Sequence, residues 1–160
     1  MAIDITRNAT HKIFFPSKVA SFNVGSPHTY NMTLGVAHDN GDLIVRDVTS
    51  WNSFDNYDED TAGTITFSGI VRGQDADGLW RVEVLSVSQD VVIVYNSSVS
   101  EYPERDLQNP GLFYNAEGET AIGGELIRGD QLILSESAFT GTLAADAAVA
   151  YDASTKKYTI

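Results

Sequence analysis

An unbroken apolar run, Val91–Tyr95, set between polar neighbours, constrains this chain more than any other feature. It is strand length, and a strand with no polar position has to be covered on both faces, as in the middle of a barrel or sandwich. It anchors the expected core. Around it the pattern repeats in weaker form. Over residues 79–87, Trp80, Val82 and Val84 point one way while Arg81 and Glu83 point the other, which predicts a sheet with one wet face. Asp77-Gly78 predicts the turn joining that strand to a β-branched one over residues 64–71. Asn40-Gly41, within residues 31–47, predicts another hairpin, with Leu43 and Val45 alternating against Ile44 and Arg46 beyond it.

Toward the end, Gly129-Asp130 turns the chain into a strand over residues 131–134, and residues 149–151 are placed to pair with residues 157–160. Only residues 135–139 and 143–148 admit helix, and both are short. The expected fold is mainly β: a compact antiparallel barrel or sandwich over residues 22–160, with an extended N-terminal arm over residues 1–21 and long loops. In that arm Ile13, Phe14 and Phe15 form an apolar cluster that Pro16 ends. The cluster has to fold back onto the body or bury against another chain.

With 160 residues and 42% hydrophobic content, the chain suits one domain with a genuine core. It has no cysteine, which removes disulfides, thiolate metal sites and cysteine nucleophiles together. No secretory leader and no span of bilayer length is apparent, so a soluble protein made in a cytoplasm, with no membrane partner, is expected. A formal net charge of −12 repels phosphates and argues against a nucleic-acid partner. Arg7, Lys12 and Lys18 nevertheless make the arm mildly basic, able to dock on an acidic neighbour.

Candidate chemistry is sparse. His11, His28 and His38 lack the spacing that puts two ligands on one metal, and no nucleophile elbow is present. A lone histidine in a turn-rich β protein is more often a surface or hydrogen-bonded residue than a ligand. Asp55, Asp58, Glu59 and Asp60 read as a solvated acidic loop, and Asp75 and Asp77 as turn formers. No acid/base dyad, metal or cofactor is assigned, and no enzyme is expected. Arg128-Gly129-Asp130 reads as a turn rather than an adhesion signal, and the Asn-x-Ser/Thr sites at Asn8, Asn31 and Asn96 as chance. Trp51, Tyr57, Trp80, Tyr95, Tyr102 and Tyr114 open an alternative, a non-catalytic carbohydrate-binding sandwich.

The order of a buried strand, a long polar loop with Pro103 and Pro110, the Asn-x-x-Gly turn at Asn115 and the Gly129-Asp130 turn resembles head decoration proteins of tailed bacteriophages. It covers roughly the last seventy residues best. The resemblance implies a virion protein on the capsid exterior, a cement protein that binds the major capsid protein and stabilises the expanded lattice, in the form of a homotrimer. A tail or head-to-tail component is the nearest alternative. Ile13, Phe14 and Phe15 of the arm, with Tyr102, Pro103 and Pro110 of the loop, are the expected capsid or subunit interface.

Overall fold

The computed structural model describes residues 11–23, 26–51, 56–96 and 113–160. The fold is mainly β. Five strands close a barrel in the order β2 (Thr29–Thr33), β4 (Tyr57–Glu59), β3 (Leu43–Asp47), β7 (Val91–Tyr95) and β8 (Thr120–Glu125). Only the β2–β4 pairing is parallel; the other barrel pairings are antiparallel. Against the barrel lies a seven-stranded sheet. Its order is β1 (Phe14–Phe15), β9 (Gln131–Leu134), β6 (Trp80–Val87), β5 (Phe67–Gln74), β11 (Ala148–Asp152), β12 (Lys157–Thr159) and β10 (Phe139–Thr140). Among the described residues no helix is long and apolar enough to cross a membrane.

Strand β7 explains how the two sheets share one core. Its alternate residues Val92 and Val94 point into the barrel, where they meet Met32, Leu34, Ile44 and Ala121. Val91 and Ile93 point the opposite way, into a larger cluster with Leu43, Phe67, Val82, Val84, Leu132 and Tyr158. Strand β3 is divided likewise, Ile44 inward and Leu43 outward. The apolar run is therefore covered on both faces, because it is the wall common to barrel and sheet. Burial of each such Val, Ile or Leu contributes roughly 1.5–3 kcal/mol.

The local turns fall where the sequence places them at Asp77-Gly78, which joins β5 to β6, and at Gly129-Asp130, which leads into β9. Residues 148–159 form the expected C-terminal hairpin, with Tyr151 opposite Tyr158. Two expectations need correction. Strands β2 and β3 are not a hairpin: β4 lies between them, and β2 takes β8 as its antiparallel partner over five residue pairs. Asn40-Gly41 does turn the chain, with Gly41 at φ 92°, but the turn carries the chain across the barrel end. There Gly41 N–H donates to the Val94 carbonyl at 2.8 Å, and the Asn40 side chain exchanges hydrogen bonds with the Asn96 backbone. The second correction concerns helix. Residues 136–138 make a single 3-10 turn, and residues 143–147 make none, because Asp146 N–H and the Ala147 carbonyl pair with Val71 at the sheet.

Of the expected N-terminal arm, residues 11–21 belong to the body: only Phe14–Phe15 form a strand, residues 17–18 turn, and a 3-10 turn follows at Ala20–Phe22. Phe14 and Phe15 pair with Leu134 and Ile133, and β1 ends at Pro16. Residues 1–10 of the expected arm lie outside the described residues.

The barrel interior is narrow enough to need a glycine. A Cβ on Gly123 would stand 2.7 Å from Val92 Cγ2 and 2.9 Å from Met32 Cγ. Gly123→Ala is expected to destabilise the fold by about 1–3 kcal/mol through overpacking. Urea unfolding measures this as a fall in the midpoint relative to the wild type.

Candidate functional site

The most concentrated chemistry lies at the barrel end where β2 finishes and β3 begins. Asp42, one residue before β3, has a carboxylate only 1% exposed. A buried charge of this kind needs compensation by paired and hydrogen-bonded groups. The Lys12 ammonium, itself 7% exposed, supplies it at Oδ1. His38 Nδ1 lies 3.0 Å from Oδ2, and the Asp39 backbone N–H donates to the same oxygen at 3.1 Å. The other ring nitrogen of His38 lies 2.7 Å from Glu59 Oε1, whose second oxygen accepts the Gly35 N–H at 2.9 Å. Lys12 also donates to the Lys156 carbonyl, which brings in the C-terminal hairpin. Beside it, Asp39 accepts the Lys12 backbone N–H at 3.1 Å and faces His11 Nδ1 at 2.8 Å.

His38 therefore sits between two carboxylates. Burial alone pulls its pKa down, but the hydrogen bonds to Asp42 and Glu59 outweigh burial and hold it above the ordinary 6.5. For Glu59 burial pushes upward, and the bond and charge of His38 with the Gly35 and Val36 amides bring it below its ordinary 4.5. An imidazolium donating from both nitrogens has no free lone pair, so His38 is not placed to act as a general base. Lys12, Asp42, His38 and Glu59 neutralise one another and act as a clasp. The histidine is hydrogen-bonded, as a lone histidine usually is; Glu59, by contrast, is not on a solvated face, its side chain being 6% exposed.

The opposite barrel end is closed by aromatics and an arginine. Arg46 lies with its guanidinium carbon 3.9 Å from the Tyr30 ring centroid and 4.7 Å from that of Tyr57, within cation–π range. Its Nη2 is 3.4 Å from Asp90 Oδ1. Tyr30 donates to Glu125 Oε1 at 2.6 Å, and Trp51 packs edge-on to Tyr57 with ring centroids 4.8 Å apart. Trp51 is 57% exposed. Nearby, His28 Nδ1 is 3.0 Å from Glu125 Oε2. Ser26 Oγ instead accepts the His28 backbone N–H, and the buried Ser21 Oγ makes no hydrogen bond, so no serine–histidine relay is assembled at His28 among the described residues.

Ile13 and Phe14, expected at an interface, lie in the core at 1% and 2% exposure and offer no surface in this fold. Phe15 is partly buried against Ile13, Leu79 and Ile133. Tyr102, Pro103 and Pro110 lie outside the described residues, as does Asp55 of the acidic loop. The basic character of Lys12 does meet an acidic partner, but within the same chain. Asp130 of the Arg-Gly-Asp turn points inward: its oxygens accept the Ile127 and Ala20 amides at 2.9 and 3.1 Å. Sequence reasoning passed over Lys12, Asp42, His38 and Glu59 as a group. The one local signal was the four-residue separation of His38 and Asp42 around the Asn40-Gly41 turn.

No protein-family model matches the chain, and no similar curated protein or solved structure was found.

Removing one partner of the clasp leaves a buried charge uncompensated, so Asp42→Asn is expected to cost about 3–5 kcal/mol in chemical unfolding. The pH dependence follows from the two shifts. His38, raised in the fold, contributes stability that is complete below pH 6.5 and is lost as pH rises through its folded value. Glu59, lowered in the fold, contributes stability that is present above pH 4.5 and is lost as pH falls through its folded value. A plot of Tm against pH should therefore peak between these limbs, and His38→Gln should flatten the alkaline one.

Proposed function

We propose that this chain is a structural protein of a tailed-phage virion, a head decoration protein that binds the outside of the capsid lattice. It acts through the surface it buries, without bond making at a pocket. One observation carries the reading: Lys12, Asp42, His38 and Glu59 at one barrel end, and Arg46 with Asp90 at the other, are tied to one another, while large apolar side chains face outward. Trp51 is 57% exposed and Val48 51%, both beside the aromatic barrel end. Trp is enriched in the cores of association surfaces, where its large ring is buried against the partner. The strand-and-turn order that resembles decoration proteins, now set in a barrel with an accompanying sheet, supports the same reading.

The partner on this reading is the major capsid protein, and a trimer is the symmetric form that suits a local threefold position. The mechanism is mass action. A protein that binds only the expanded lattice stabilises that state by the free energy of its own binding. Because Ile13 and Phe14 belong to the core, Trp51 and Val48 replace them as the contact residues.

A second reading has its own observation. An exposed indole edge-on to Tyr57 is also a platform on which a sugar ring stacks, as in a carbohydrate-binding module. Glycan-array binding lost on Trp51→Ala, with no binding to heads, would favour it.

Purified protein is expected to bind expanded phage heads that lack it, at a copy number near that of the major capsid protein. Trp51→Ala should weaken this binding by about 2 kcal/mol or more, as for a buried aromatic anchor. Cosedimentation and densitometry measure both. Occupancy limited to one ring of copies would indicate a connector or tail role, and no binding would overturn the proposal.

A further inference from the structure

Three of the chain's four lysines converge on one cavity. Lys12, Lys156 and Lys157 line a polar pocket of about 300 Å³ together with Asp39, Asp42 and Ser137. In a chain of net charge −12, this is an unusual gathering of cations. Three ammonium groups stand against two carboxylates, which leaves a surplus of one positive charge. The surplus is also placed where it can be used. Lys12 is held by Asp42 and the Lys156 carbonyl, and Asp39 is engaged by His11 and the Lys12 amide. Among the described residues the Lys156 ammonium donates only to the Ala37 carbonyl, at 2.5 Å, and the Lys157 ammonium has no hydrogen-bond or ion-pair partner. Lys156 moreover holds φ 54°, a left-handed conformation that glycine or asparagine adopts more readily. The hairpin thus keeps a lysine where local backbone preference favours another residue.

We infer that this cavity is a socket for a carboxylate, and that its occupant is an acidic side chain from a second copy of the chain. A single surplus charge matches a carboxylate better than a dianionic phosphate. The chain itself carries 22 Asp and Glu against 10 Lys and Arg, so exposed acidic turns, such as that bearing Glu117, are available on every copy. Like-charged copies repel at long range and approach only where opposite charges meet. The socket and an acidic turn are different patches, so the contact is head-to-tail and closes as a ring when the rotation allows, as in a trimer. This inference deepens the assembly reading above and rests on it for the trimer, but not for the existence of the socket.

Sedimentation velocity of the full chain tests it, at about 20 mM and about 500 mM salt, where screening changes several-fold. The wild type is expected to self-associate at low salt and dissociate at high salt or on adding citrate. Lys156→Glu with Lys157→Glu should weaken association at least tenfold with Tm retained, whereas Lys156→Arg with Lys157→Arg should preserve it. Should the reversed double variant fail to fold, Lys157→Gln alone, which breaks no hydrogen bond, should still weaken association. A wild type that stays monomeric at every concentration overturns the inference, whether or not it binds citrate. So does a Lys157→Gln variant that assembles as the wild type does. Head binding is scored separately: a monomer that still occupies heads sinks the socket and leaves the decoration reading standing.

Discussion

The carboxylate of Asp42 is the point on which the arrangement depends. It brings together three regions that are remote in sequence: Lys12 of the N-terminal segment, His38 of the crossing between β2 and β3, and, through the Lys12 ammonium, the Lys156 carbonyl of the C-terminal hairpin. Its backbone contributes as well, since the Asp42 carbonyl accepts the Val94 N–H at 2.9 Å and fixes the end of the central strand. A nonpolar residue at this position would pack without any such demand for partners. The charged one admits a single register of these three regions, because any other leaves a buried charge unpaired.

That register is what allows β3 and β7 to serve as a wall with two apolar faces. The barrel interior is small, filled by Met32, Leu34, Ile44, Val92, Val94 and Ala121, and the larger cluster lies on the sheet side. Neither sheet buries its apolar face without the other, so the two form one cooperative unit. The pairings that complete it are distant in the chain: β1 with β9, and β2 with β8. Such non-local pairing has to be in place before it is rewarded by burial, which makes slow folding the natural consequence of this topology.

Much of the strand layout was legible because it is local. Val91–Tyr95 shows its double burial in composition alone, and the Asp77-Gly78 and Gly129-Asp130 turns join or begin strands whose alternation is plain. The Asn40-Gly41 turn misled because a tight turn specifies a change of direction and not a partner. The five-pair ladder of β2 with β8 outcompetes the local hairpin. The clasp was illegible for a related reason: Lys12 meets Asp42 across 30 residues, and His38 meets Glu59 across 21, so no spacing rule joins them. The apolar cluster at Ile13, Phe14 and Phe15 did announce a need for cover. Whether the cover is another chain or this one is decided by the complementary surface of Leu79, Ile133 and Leu134, which sequence patterning does not place.

The distribution of charge then links fold to function. Among the described residues four cations are answered within the chain: Arg46 by two aromatic faces and Asp90, Arg72 by Glu83, Arg81 by Asp75, and Lys12 by Asp42. What remains for the outside among the described residues is a large acidic excess, a few exposed apolar side chains, Lys18, Arg128 and the lysines of the C-terminal hairpin. An acidic surface discourages indiscriminate association, so contact is confined to places where apolar area or positive charge offsets the repulsion. Trp51 with Val48 and the lysine-lined cavity are two such places, set at opposite ends of the barrel. One end is therefore suited to a broad apolar contact and the other to a charge-selective one, which lets a single small body bridge two different neighbours.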